Sequence, residues 1–145
     1  MRKITAYSLS GAIAATLFSF ATLSPAQITS AIQATIHHQF TVGEATLPPG
    51  RYTFRTVPDS QAELMTVSNE DGTVSDEFLV RRSLDPHIPK HSVLVFREFG
   101  NREFLAHIYQ VGTKDGVTVV EPSREESRLE KQGQNPVEHR EEQAQ

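Results

Sequence analysis

The chain has 145 residues, no cysteine and a formal net charge of -4. That length holds one domain. The missing cysteine excludes a disulfide framework, a thiolate metal site, a cysteine nucleophile and a lipid-carrying cysteine, and the absence of any strongly basic run excludes a phosphate-backbone partner such as nucleic acid.

The first segment reads as a secretory signal peptide. Met1-Arg2-Lys3 is positively charged, Leu9 to Leu23 is almost wholly apolar or small, and Ser24-Pro25-Ala26 supplies small residues for a cut after Ala26. The apolar run is too short for a bilayer and is interrupted by Ser10, Thr16, Ser19 and Thr22, so no membrane span is expected once the signal is removed.

From Ile32 the apolar period is two. Ile32, Ala34, Ile36, His38, Phe40 and Val42 alternate with polar residues, which predicts one half-buried strand ending at Gly43-Glu44. Leu47-Pro48-Pro49-Gly50 predicts a type II turn, and Arg51 to Val57 a strand with Tyr52 and Phe54 inward. Glu63 to Ser68 and Thr73 to Arg82 read as a hairpin around Asn69-Glu70-Asp71-Gly72. Leu84 to His91, with Pro86 and Pro89, reads as a loop. Ser92 to Phe99 and Arg102 to Val111 form a second hairpin around Gly100-Asn101, and Thr113 to Gly116 turns into Val117 to Val120.

About seven sequential strands joined by tight turns imply an all-β domain: a small antiparallel β-sandwich or partly closed barrel. Its expected core is Ile36, Phe40, Tyr52, Phe54, Leu64, Phe78, Val95, Phe104 and Ile108. Composition then shifts. Ser123 with Glu126 fits a capping box, so Pro122 to about Gln132 is expected to be a short C-terminal helix with almost no apolar face; beyond Gly133 a disordered tail is expected. The division is therefore residues 1–26 signal peptide, 27–120 β domain and 121–145 charged helix and tail.

The run Leu47-Pro48-Pro49-Gly50-Arg51-Tyr52-Thr53-Phe54 resembles the Leu-Pro-x-Gly-x-Tyr-Thr turn-and-strand of collagen-adhesin B-type and carboxypeptidase regulatory-like sandwiches. Phe40 to Gly43 through Tyr52, Val93 to Phe96, Phe104 to Ala106 and Ser123-Arg124-x-Glu126 together resemble a group of small exported bacterial proteins made of a signal peptide and one β domain. These resemblances imply fold and export, and bring no catalytic residues.

Candidate chemistry is sparse. His37 and His38 leave opposite faces of a strand and cannot chelate one ion from it. His87 and His91 have helical spacing in a stretch where Pro86 and Pro89 forbid a helix, and His107 stands opposite the Phe104, Ala106 and Ile108 side. His38, on the apolar face, fits a sheet-margin histidine with one hydrogen bond. No Gly-x-Ser-x-Gly elbow is present. Asp76 and Glu77 point apart, and Glu98 and Glu103 flank a hairpin where exposed charges are ordinary. Arg81 and Arg82 fit an edge-strand charge pair that discourages aggregation better than an anion site.

The expectation is an exported, non-catalytic β-domain protein, periplasmic or secreted: a binding or interaction module of the cell envelope. Its loops around 43–50 and 84–91 would contact a protein, glycan or small molecule. The alternatives are a structural or stress-related envelope component associating along a strand edge, and a hydrolase with an unrecognised site. No catalytic residue, metal ligand or cofactor is assigned. A pocket with converging polar groups favours the first reading, an open uncharged edge strand the second, and a close Ser-His-carboxylate cluster the third.

Overall fold

The computed structural model describes residues 31–58 and 63–143; the expected signal peptide lies outside them. Alternating burial along Ile32–Ile36 makes strand β1, with Ile32, Ala34 and Ile36 inward. The strand does not run on to Val42 as the alternation predicts. The chain bends at His37 to Gln39, and Phe40–Val42 becomes a separate strand, β2, forming a two-residue hairpin with β3 (Ala45–Leu47). Gly43 takes φ 56° in that turn, a left-handed conformation that a side chain would strain.

Gly50 opens β4 (Gly50–Thr56) and is not among the glycines with positive φ, so the type II reading of the proline turn does not hold. Its missing Cβ serves another purpose. A methyl there would stand 3.4 Å from Cε2 of the Tyr52 ring. That ring is buried, meets Phe40 edge-on at 5.2 Å, and its hydroxyl donates to the Pro48 carbonyl at 2.6 Å. Burial pushes the Tyr52 phenol up, keeping the donor protonated.

Next come β5 (Leu64–Asn69), β6 (Ser75–Leu84), β7 (Val93–Phe99), β8 (Arg102–Tyr109) and β9 (Asp115–Val119). The expected hairpin turns form at Gly72 and Gly100, with φ of 67° and 66°. β1, β4, β5 and β6 pair antiparallel in that order. β6 serves both halves of the molecule: its first residues pair with β5, and Val80 to Leu84 pair with β9. β9 pairs with β8, which takes β7 on its other side, while β2 joins β8 in parallel at Phe40 and Thr41. The sheet is thus mixed and does not close; β1 and β3 end its path.

Side chains from β1 to β9 meet in one apolar core. Ile36, Phe40, Tyr52, Phe54, Phe78 and Ile108 take their expected places there. Three do not. Leu64 is only half-buried, because β5 runs one residue out of phase with the expectation and turns Met65 and Val67 inward. Val95 packs instead with Val93 and Tyr109, and Phe104 with Phe99 and Leu129. Along β7 the alternation is unbroken, with Leu94 and Phe96 inward, so Val95 faces the other way; on β8 a bulge reverses the phase, since Val95 pairs with His107 but Phe96 pairs with Leu105, leaving Ala106 over. Ile108 and Leu105 therefore both face the core.

Helix α1 (Arg124–Lys131) forms as the capping box predicts, the Glu126 amide donating to Ser123 Oγ at 3.0 Å. It docks after all. Leu129 is buried on Phe99 and Phe104, and the buried Glu126 carboxylate meets Arg97 Nε at 2.8 Å. Burial pushes the Glu126 carboxyl up despite the Arg97 guanidinium.

Past Gly133 the structure corrects the expected disordered tail. Val137–Glu142 is a tenth strand, β10, antiparallel to β7 from Val137↔Glu98 to Glu142↔Val93. It contributes nothing apolar to the core, so no hydrophobic period announces it; backbone pairing and charged side chains hold it. Ten strands among the described residues replace the expected seven.

Candidate functional site

Two adjoining features gather the polar chemistry, and β10 belongs to both. The first is a cleft of about 410 Å³ over the loop from Asp85 to His91, with Val93 as part of its wall and Arg140 and Glu142 of β10 as its side. The loop is set by local bonds. Asp85 accepts from the His87 amide at 3.0 Å, its own amide donates to the Lys114 carbonyl, and Gly112 donates to the Pro89 carbonyl. Asp85 is only 1% exposed, and Arg140 Nη2 reaches its Oδ2 at 2.5 Å. Burial disfavours the Asp85 anion, but the His87 amide and the Arg140 guanidinium outweigh it and hold the carboxyl below its ordinary value.

With Asp85 and Arg140 satisfying each other, the cleft presents His87, Lys90 and His91 against Glu142, beside Ile88, which is 60% exposed. His87 and His91 thus come to one cleft through the loop rather than a helix face. The lining is formally balanced, Lys90 and Arg140 against Asp85 and Glu142, but Lys90 makes no ion pair among the described residues and sets a positive charge beside the apolar Ile88, a place for a small anionic head on a greasy body.

The second feature is a histidine–carboxylate cluster at the rim of the core. The bend after β1 brings His38 out of the sheet and sets its ring edge-on to Phe96 at 4.9 Å. Its Nε2 lies 2.8 Å from Glu141 Oε1 of β10, and its Nδ1 lies 3.2 Å from Glu103 Oε2 of β8. His139 Nδ1 is 3.7 Å from the same Glu103 oxygen. That oxygen is buried and lacks a well-aligned hydrogen bond. His38 is therefore no sheet-margin residue with a single bond, and Glu103 is no ordinary exposed charge, being only 16% exposed. Among the described residues, no group of three or more histidines and carboxylates is arranged to hold a metal ion.

Other sequence candidates lie apart. His37 is exposed. His107 donates to or accepts from Thr118 Oγ1 at 2.8 Å and stacks on Tyr109; burial pushes its imidazole down. Asp76 and Glu77 occupy successive positions of β6, one half-buried and one exposed. Arg81 and Arg82 pair with Thr118 and Val117 of β9, within the sheet path rather than on an edge strand. The 43–50 segment is taken up by β3, and Glu44 accepts the first helical amide, Arg124 N, at 3.2 Å. Of the two expected binding loops, 84–91 lines the larger cleft among the described residues, while 43–50 contributes Thr46 to a smaller hollow of about 230 Å³ beside Asn101 and Arg102.

Asp85, His139, Arg140 and Glu141 escape the sequence reading, and Glu103 enters it only as an ordinary hairpin charge. All five sit on β10 or face it, and its signal is confined to backbone complementarity with β7. Comparison with protein-family models, with curated proteins and with solved structures finds no match to this chain.

Proposed function

We propose that the chain is an exported, non-catalytic binding module of the cell envelope, periplasmic or secreted, that takes a ligand in the cleft over residues 85–93. The two sheet halves wrapped around one core are read as a sandwich-like scaffold, in keeping with the small exported β-domain proteins the sequence resembles. The observation that carries the reading is the cleft itself: a hollow lined by the exposed His87, Lys90 and His91 beside an uncovered Ile88. Small amphipathic anions are the ligand class that this chemistry fits.

Association along a strand edge is the second reading, and β1 favours it, since Ile32–Ile36 carries no charge and, among the described residues, pairs with β4 alone at the end of the sheet path; β10 does not. β10 lines its edge with Glu138, Arg140, Glu141 and Glu142, a charge pattern that discourages strand addition. A serine hydrolase finds little support, since among the described residues His38, His107 and His139 meet carboxylates, the Gln39 carbonyl or the Thr118 hydroxyl rather than a serine.

The test is chemical-shift mapping of the mature chain with a fatty-acid-like carboxylate as probe. Shifts should cluster on residues 85–93 and 140–142 and vanish in Lys90→Glu. Shifts scattered over the surface, or equal in the variant, would refute the cleft reading.

A further inference from the structure

His38 has carboxylate oxygens at both ring nitrogens, and they come from different strands: Glu103 from β8 at 3.2 Å and Glu141 from β10 at 2.8 Å. A neutral imidazole has one N–H and one lone pair, so it satisfies one of these carboxylates and repels the other. Only the imidazolium attracts both, donating from Nε2 to Glu141 and standing in ion-pair contact with Glu103. The other groups facing the ring are the Gln39 carbonyl, 3.4 Å from Nδ1, the Phe96 edge from β7, and His139 of β10, whose ring centroid is 6.3 Å away. The nearby cation of β7, Arg97, is engaged by Glu126 of the helix.

What the imidazolium holds is a strand with little else to hold it. No residue of β10 is buried, and its one aliphatic side chain, Val137, is 65% exposed. Beyond the backbone ladder to β7, its attachments among the described residues are Glu141 to His38, His139 to Glu103, Arg140 to Asp85 and over the Tyr109 ring at 5.5 Å, and Gln143 just past its end. Gln143 donates its amide to the Ser92 carbonyl and accepts from the Thr35 amide.

We propose that His38 is a proton-operated lock on the C-terminal strand. Protonated, it bridges β8 and β10 and fastens the strand; deprotonated, it leaves one carboxylate facing a lone pair and the strand loosens. Asp85–Arg140 and the Gln143 contacts persist in both states, so the strand slackens about its far end rather than leaving. Acid favours the closed lock, until acid strong enough to protonate carboxylates undoes it from the other side. His107 works in the opposite sense. It lies on the other face with Glu138 of β10 in its field, and its lowered pKa disfavours the folded state as pH falls. The effect of His38 is therefore read as a difference between variants. β10 carries Arg140 and Glu142 into the cleft wall, so the lock also sets how complete the cleft is. That consequence rests on the binding reading; the lock itself does not.

Hydrogen exchange of the mature chain tests it at about pH 5.5 and about pH 8, either side of the histidine range, with rates corrected for intrinsic exchange. Residues 137–139, at the end away from the Arg140 and Gln143 contacts, should be about fivefold better protected at the lower pH, the effect of one charge-assisted bond, while β4 stays level. His38→Gln should remove the difference. Glu141→Gln, on an exposed strand where folding is not at stake, should do the same. Equal protection at both pH values, or a difference that survives in both variants, would overturn the lock whether or not the cleft holds a ligand.

Discussion

Strands β4 and β10 are both antiparallel ribbons of similar length, yet they are held by different forces. β4 turns Tyr52 and Phe54 into the core, where both are buried, and pairs on both sides, with β1 and β5. β10 pairs on one side, buries no side chain and is tied by ion pairs and amide contacts. Apolar burial is insensitive to pH and salt over ordinary ranges, whereas charged contacts at a half-exposed rim respond to both. The same backbone geometry therefore yields one strand that defines the fold and another that conditions can adjust.

The largest expected effect falls on the first kind of strand. Tyr52→Ala removes a ring packed on Phe40 and a hydrogen bond to Pro48, and should lower unfolding stability by about 3–4 kcal/mol in equilibrium denaturation. A loss near zero would break the contrast between core and rim. Next is Gly116→Ala in β9. A Cβ there would fall 2.2 Å from Tyr109 Cδ1 and 2.6 Å from the Ile108 carbonyl oxygen, so a loss of about 2 kcal/mol is expected from overpacking. Unchanged stability would mean that β8 and β9 adjust freely.

The smallest global effect belongs to Arg140→Ala, about 1–2 kcal/mol from leaving Asp85 without its cation. Its signature is a pH profile. The folded Asp85 carboxyl is held below its unfolded value, so its contribution is fully present above the ordinary carboxylate range, near pH 4, and is lost as pH falls through the lower folded value. The variant should lose less stability than the parent between neutral pH and that acid range. Identical profiles would place Arg140 outside the balance.

The sequence made this contrast half legible. Period-two alternation found β1, β4 and the β7–β8 hairpin because each buries one face, and Ser123 with Glu126 located the helix start. It failed where the backbone departs from strict alternation or where no apolar face exists. Ala106 reverses the inward phase along β8, so Leu105 joins the core and Phe104 leaves it. β5 offers Leu64 and Met65 side by side, and side-chain type alone does not say which points in. The bend at His38 looks continuous in sequence because histidine fits either face. β10 reads as a solvated charged run, since its partners are Asp85, Glu103 and His38, remote in the chain and recognisable only once the sheet has assembled.

The ten residues of β6 belong to both halves of the sheet, five paired with β5 and five with β9. Neither half therefore owns a complete set of strands, and a fracture between them would have to run along a single continuous backbone. Melting is thus expected to pass through the whole described β framework at one midpoint, with only the C-terminal ribbon free to come away earlier. A shared strand in this position makes the protein mechanically one piece despite the unclosed edge.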